Sequence, residues 1–356
     1  MKKARYVIQV ALINLVVFYV PFELYIRYIG IQQLASGQSI TQILKQIDRE
    51  NISIDAFVKR RSSTPNERNL VYDDQIGWDR EVREPRSCLT AVCGKRYRIL
   101  VVGDSVTQGF GIQDGEEWPE IFAGAAPSRI EVINAGVDGY SMYQMYLKAE
   151  RELEETLLVS PVDLIIFAYI DHDLLRPAAP YLWGQTQPSF RLGGDSVTVV
   201  PPEQMTDLIR SFASAWSYFY TSAWATTRFY EKRRYYFPVL YKDYFNRVPT
   251  IILKLIRGLA RAHNVPVVLL RLPQNPPFRG RELLQDGMNN AWKRVGVPEA
   301  LMSRPDIEPC VRDSLKQEGI DLDQALNRFH PDARVHAHYG RCAFEKIIQP
   351  LLAARN

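Results

Sequence analysis

The sequence predicts a three-layer α/β/α domain built on a central parallel sheet and preceded by one N-terminal transmembrane helix. Apolar, largely β-branched runs end in Gly-bearing or polar segments at 99–105, 130–141 and 163–176. Helical patterns alternate with them, as in parallel strands buried on both faces. A fourth such run, 265–270, follows a long insertion, and a last helix is expected over 340–354. At the start a basic tip leads into an uncharged stretch, Tyr6 to Phe22, which as a helix spans about 26 Å, close to the hydrocarbon thickness of a bilayer.

Composition narrows the function classes. The 356 residues are 46% hydrophobic and 24% charged, a globular chain long enough for a large core. With 44 basic against 40 acidic side chains, the basic ones scattered apart from short clusters at Lys2–Arg5 and Lys232–Arg234, there is no case for nucleic acid. The chain has no Gly-x-x-x-x-Gly-Lys phosphate loop and no His-Glu-x-x-His zinc pattern. Gly103-Asp104-Ser105-Val106-Thr107 does not complete a Gly-x-Ser-x-Gly elbow. Chemistry without metal or cofactor is the natural expectation. Cys88, Cys93, Cys310 and Cys342 do not form paired Cys-x-x-Cys zinc spacings. In an oxidising compartment they suit two disulfides, Cys88–Cys93 closing a small loop and Cys310–Cys342 stapling the C-terminal segment. In the cytosol they would be four buried thiols.

The first thirty residues set the compartment. Lys2, Lys3 and Arg5 precede the uncharged stretch, and Glu23, Tyr25, Arg27 and Tyr28 follow it, as at an interfacial end. No small-x-small cleavage site follows, so an uncleaved anchor is expected over a signal peptide; a buried soluble helix is the remaining alternative. Positive charge before the span keeps the N-terminus inside. The chain would cross the inner membrane once through residues 6–29, with the rest outside the cytoplasm. The expected domains are 1–30, tip and anchor; 31–96, stalk and lead-in strap; and 97–354, the α/β domain with an insert at 177–256. In the stalk, Ile40, Ile43, Leu44 and Ile47 recur at helical spacing. The strap, Asn69 to Tyr97, is turn-rich and aromatic around 72–78 and is expected to pack on the domain.

Gly103-Asp104-Ser105 would place a serine where a parallel sheet carries its ligands, with Gly103 allowing a sharp turn. Taken alone it reads equally as an ordinary strand-to-loop turn. Asn134-Ala135-Gly136-Val137-Asp138-Gly139 follows the second strand, Asp173-Leu174-Leu175-Arg176 the third, and His330-Pro331-Asp332 precedes the last helix. Together these four segments resemble the blocks of the SGNH (GDSL-type) hydrolases, over residues 97–354. The resemblance implies a flavodoxin-like SGNH hydrolase fold, with Ser105 as nucleophile and His330 as base. It implies an oxyanion hole from the Ser105 and Gly139 N–H groups and a third donor at position 172. The family's Gly-x-Asn-Asp reads Ile170-Asp171-His172-Asp173 here, so His172 stands for the asparagine and brings a pH-dependent charge. Asn327 stands where the family carries its acid, three residues before the histidine. An asparagine orients an imidazole without stabilising its charge, so Ser105–His330 would act as a dyad, or Asp323 or Asp332 would substitute. His336 matches a second, packing histidine. His336 and His338 are runner-up bases, and His263 reads as structural.

The insert opens with a β-hairpin at 189–199 and continues as helical, aromatic sequence rich in arginine. It could cap the site, lie on a membrane surface or pack on the domain, the commonest fate of aromatics. Residues 281–326 read as helical and linking. The expected function is a membrane-anchored serine esterase or deacetylase acting on an acylated envelope glycan or lipid through an acyl-enzyme on Ser105. An acyltransferase on the same site, or an inactive binding or assembly protein of the envelope, are the alternatives.

Overall fold

The computed structural model describes residues 15–27, 37–63, 70–80, 97–156, 161–182, 185–193, 196–274, 281–296, 301–326 and 330–353. Strands are β1 (Val71–Asp73), β2 (Gly77–Asp79), β3 (Tyr97–Gly103), β4 (Ile130–Gly136), β5 (Leu164–Tyr169), β6 (Tyr181–Leu182), β7 (Gln185–Thr186), β8 (Ser189–Gly193), β9 (Ser196–Val200), β10 (Val267–Arg271) and β11 (Met302–Ser303). Helices in the first half are α1 (Val20–Tyr25), α2 (Gly37–Glu50), α3 (Ile54–Ser63), α4 (Ser105–Gln108), α5 (Trp118–Gly124) and α6 (Met142–Thr156). Then come α7 (Met205–Ser217), α8 (Thr221–Tyr236), α9 (Lys242–His263), α10 (Arg281–Val295), α11 (Glu308–Gln317), α12 (Leu322–Leu326), α13 (Ala333–Ala343) and α14 (Gln349–Ala353).

The chain forms two compact units. The larger collects the described residues of Arg80–Pro177, Phe190–Val199 and Phe237–Asn356 around a five-stranded parallel sheet ordered β11-β10-β5-β3-β4. Gly103 lies beside Gly136 of β4 and Ala168 of β5, so three strand ends come level at one edge. Ile99, Val101, Leu164, Ile166, Val268 and Leu270 share a core with Trp118, Phe122, Val335 and Tyr339. Their neighbours Leu100, Val102, Ile165 and Phe167 are equally buried and point to the opposite face, because strand side chains alternate. Helix α6 packs against β3, β4 and β5. Burial on both faces is why these strands read as unbroken apolar runs. Each buried Val, Ile or Leu contributes about 1.5–3 kcal/mol.

The smaller unit collects the described residues of Met1–Asp79, Ala178–Ser189 and Val200–Tyr236. Its core joins Ile40 and Ile43 of α2 and Phe57 of α3 to Met205, Leu208, Ile209 and Phe212 of α7. The i, i+3, i+4, i+7 spacing on α7 is that of a helix with one apolar face. Phe212 meets Trp224 of α8 edge to face at 4.8 Å. Tyr72, from the β1–β2 hairpin, receives the Met205 N–H on its hydroxyl at 3.2 Å. Arg228 lies over the Tyr181 ring at 4.5 Å and pairs with Glu203 at 3.0 Å.

Several boundaries differ from expectation. The stalk helix and the strap's hairpin share a core with much of the insert, because α2 and α3 bury their apolar stripes against α7. Packing is realised at Trp224, whereas Tyr218, Tyr220 and Tyr230 are exposed. A fifth strand, β11, lies inside 281–326; two residues carry no periodic signal. The C-terminal helical run, α13 followed by a π-helical stretch at Phe344–Ile348 and α14, starts at Ala333 rather than near 340, since the Asp332 carboxylate caps α13 by accepting the N–H groups of Arg334 and Val335. Among the described residues no helix is long and apolar enough to cross a membrane. Of the expected span, residues 6–14 and 28–29 lie outside the described residues.

Cys310 and Cys342 form a disulfide joining α11 to α13, as expected; Cys88 and Cys93 lie outside the described residues. The bond closes a loop with a sequence separation of 32, which in the chain-entropy account stabilises by about 3–4 kcal/mol. The double variant Cys310→Ser/Cys342→Ser should lose that much unfolding free energy in a urea titration. An unchanged midpoint and slope would contradict a structural role for the bridge.

Candidate active site

The site begins where β3 stops. Asp104 caps the short helix α4, its Oδ1 accepting the Val106 N–H at 3.0 Å. Ser105 is therefore the first helical residue, separated from the strand by Asp104 alone. Gly109, at φ 82°, closes the turn and donates its N–H to the Ser105 carbonyl at 3.1 Å. Gly103 serves close approach rather than a sharp turn. A Cβ there would stand 2.1 Å from Thr107 Oγ1 and 2.8 Å from the Ala168 carbonyl oxygen.

His330 comes from the far end of the chain. It sits on the loop before α13, and its Nε2 lies 3.1 Å from Ser105 Oγ. Its ring packs on Phe110 at 4.7 Å between centroids. Phe110, Ile112, Gln113, Glu116, His330 and Pro331 are among the lining of an open cavity of about 660 Å³. A serine oxygen, an imidazole within hydrogen-bond reach and an adjoining cavity are the parts that activation of a hydroxyl nucleophile requires.

The remaining expected residues fall as follows. Gly139 is in the loop after β4 at φ +80°, a conformation that a side chain would strain. His172 is in the 3₁₀ turn Asp171–Leu174 after β5. The loops bearing these two follow the strands on either side of β3. Burial, and then the charge of Arg176, push the His172 imidazole down to about 3, so it is neutral at working pH and its expected charge switch is absent there. Asn327 lies outside the described residues. Asp323 falls in α12, and nothing further is described of its side chain. Asp332 accepts hydrogen bonds on both carboxylate oxygens at the start of α13. His336 is buried and accepts the Trp118 N–H on Nδ1 at 3.2 Å, the packing role expected. His338 faces Glu318 at 3.2 Å, and His263 ends α9.

Three features escaped the sequence reading. Arg176 pairs with Asp173, reaches Asp104 Oδ2 at 3.4 Å and donates to the Tyr140 carbonyl at 2.6 Å. It thereby ties together the ends of β3, β4 and β5. Burial pushes the Asp104 carboxyl up against the pull of Arg176; burial and then the Asp104 charge push Asp173 up further. The spacing Asp173-x-x-Arg176 was the available signal, since i and i+3 are neighbours on a helical turn. Asp171 accepts from Arg271 Nε, Arg281 Nε and Gln285 Nε2 at 2.9, 2.9 and 2.8 Å. Against the upward push of burial, these bonds hold its carboxyl below the usual range. They fix the His172 turn to β10 and α10. Phe110 carried no sequence signal at all.

No protein-family model matches the chain, and no curated protein matches it. Among solved structures it is similar to a member of the lipolytic protein G-D-S-L family from Veillonella parvula, at 16% identity and a TM-score of 0.40, over 71% of this chain and 98% of that one. A putative lipolytic protein of the G-D-S-L family from Desulfitobacterium hafniense matches at 11% identity and a TM-score of 0.37, over 70% and 99%. A catalytic mutant of an acetylxylan esterase from Geobacillus stearothermophilus matches at 14% identity and a TM-score of 0.38, over 71% and 94%. At this degree of likeness the chemistry has to come from the side chains themselves.

Burial lowers the His336 imidazole to about 4, from 6.5 when unfolded, with Asp332 opposing. Between those values the unfolded chain binds the extra proton, so stability rises with pH. It is complete above about 6.5 and falls by about 2–4 kcal/mol as the pH drops to about 4. His336→Gln keeps an acceptor for the Trp118 N–H without titrating. Its stability, followed by urea unfolding, should fall less steeply with acid over this window. An acid limb as steep as wild type would contradict the assignment.

Proposed function

We propose that the chain is a serine esterase of SGNH type, held at the outer face of the inner membrane, that removes an acyl group from an acylated envelope glycan or lipid. The observation that carries this reading is the 3.1 Å approach of His330 Nε2 to Ser105 Oγ. In the proposed reaction His330 takes the Ser105 proton as Oγ attacks the ester carbonyl. The Ser105 and Gly139 N–H groups and the neutral His172 ring supply donors to the oxyanion. His330 then gives its proton to the departing alcohol, leaving an acyl group on Ser105. Water, activated by the same imidazole, releases it as a carboxylic acid; an acceptor hydroxyl in place of water would make the reaction an acyl transfer.

The cavity volume suits a small acyl group with part of its acceptor. The compartment rests on Lys2, Lys3 and Arg5 ahead of the uncharged Tyr6–Phe22. The Cys310–Cys342 bond accords with an oxidising environment.

The test is p-nitrophenyl acetate hydrolysis and fluorophosphonate labelling by the detergent-solubilised full chain. Ser105→Ala should abolish both, and His330→Ala should lower kcat/KM by about 10²–10⁴-fold, with circular dichroism unchanged. Equal labelling of wild type and Ser105→Ala would overturn the nucleophile. A wild type without labelling or turnover would favour a binding protein on the same fold.

A further inference from the structure

Residues 15–27 dock on the turn that joins α7 to α8, and both present large apolar and aromatic side chains to solvent. Glu23 is fully buried and caps α8, its carboxylate oxygens accepting the N–H groups of Thr221 and Ser222 at 2.6 Å each. The Arg27 guanidinium lies 4.8 Å from the Trp216 ring centre and 4.6 Å from that of Phe219. Tyr19 donates its hydroxyl to the Phe219 carbonyl at 2.9 Å. Phe219 itself has φ 64°, the left-handed region that a bulky residue adopts only when its surroundings impose it. The turn is therefore held in one shape by the N-terminal segment. What it holds outward is Tyr218, 71% exposed, and Tyr220, 61% exposed, with Trp216 beside them. On the N-terminal segment, Val16, Val17, Phe18, Phe22 and Tyr25 are exposed as well.

We propose that the α7–α8 turn is a second membrane contact, with Trp216, Tyr218 and Tyr220 seated at the headgroup–acyl boundary of a phospholipid bilayer beside the exposed face of residues 16–25. The inference rests on the reading of Tyr6–Phe22 as a membrane anchor and goes beyond it. The occupant follows from chemistry and continuity. Tyrosine and tryptophan carry an apolar body and a polar tip, the combination favoured where hydrocarbon meets water. Val16, Val17, Phe18 and Phe22 carry no polar tip and suit the deeper layer. The sequence leading into them carries no formal charge from Tyr6 onward, so the uncharged run reaches back to the basic tip. Arg27 is ion-paired to Glu23 at 3.0 Å and stacked on the two rings, so it helps to hold the turn against the N-terminal segment. The capping of α8 by Glu23 ties residues 15–27 to the aromatic turn.

The test uses the full chain in vesicles of phosphatidylethanolamine and phosphatidylglycerol, with Tyr218→Trp and Tyr220→Trp as separate reporters and wild type as the fluorescence baseline. Both positions are exposed, so either replacement leaves the core intact. Flotation reports anchoring, and lipids brominated at graded depths report the position of each added indole. The expected result is flotation, with about half or more of the added emission lost to lipids brominated near the headgroup end of the acyl chain and little to aqueous iodide. Flotation with the added indole open to iodide would overturn the second contact and leave the anchor standing. Protection from both quenchers would overturn it in favour of a protein partner or a second copy of this chain. Failure to float would overturn the anchor and the contact together.

Discussion

Arg176 is the interaction on which the serine turn depends. Its guanidinium stands between Asp104, at the end of β3, and Asp173, after β5, and it also holds the Tyr140 carbonyl after β4. All three side chains are buried, so neither carboxylate has water to stabilise it. Taking such charges out of water costs several kcal/mol each, and the cost is offset only where pairing and hydrogen bonding are good. Losing the cation would leave two carboxyl groups close together in an apolar layer, where they could not both stay ionised. The cluster therefore fixes the three loops relative to one another more than it adds stability. Ser105, which follows Asp104 directly, inherits that fixity.

From there the site assembles from distant parts of the sequence. The last helix begins at Ala333 because Asp332 caps it, and this sets the loop on which His330 stands. Buried Tyr339 donates to the Pro273 carbonyl, while His336 accepts from Trp118. The disulfide holds the same helix to α11. Each restraint acts on the element that carries the imidazole, so a 225-residue separation between serine and histidine closes to hydrogen-bond distance.

The sheet was legible because both of its faces are buried. Four strands announce themselves as apolar runs, and their ends announce themselves as Gly and polar residues. Ser105, Gly139 and His172 could be nominated from those ends, and His330 from its place before the C-terminal helix, through the resemblance that the four segments carry together. Arg176 and Asp171 were harder to see, because a buried ion cluster leaves no periodic mark and its partners come from different strands. β11 is too short to show a pattern. The stalk and the insert looked separate because sequence distance hides a shared core: Phe57 and Phe212 pack in one cluster. The aromatic insert gave composition but not burial. Trp224 turned inward on α8, whereas Tyr218 stands outward on the turn between α7 and α8.

The central claim is that an acyl group passes through Ser105. Acid-quenched intact-mass and peptide analysis of the full chain during p-nitrophenyl acetate turnover tests it most directly. The account predicts one acetyl group on the peptide containing Ser105, absent from Ser105→Ala and accumulating more slowly in His330→Ala. Turnover with no acetylated peptide, or with the acetyl group on another residue, would contradict it.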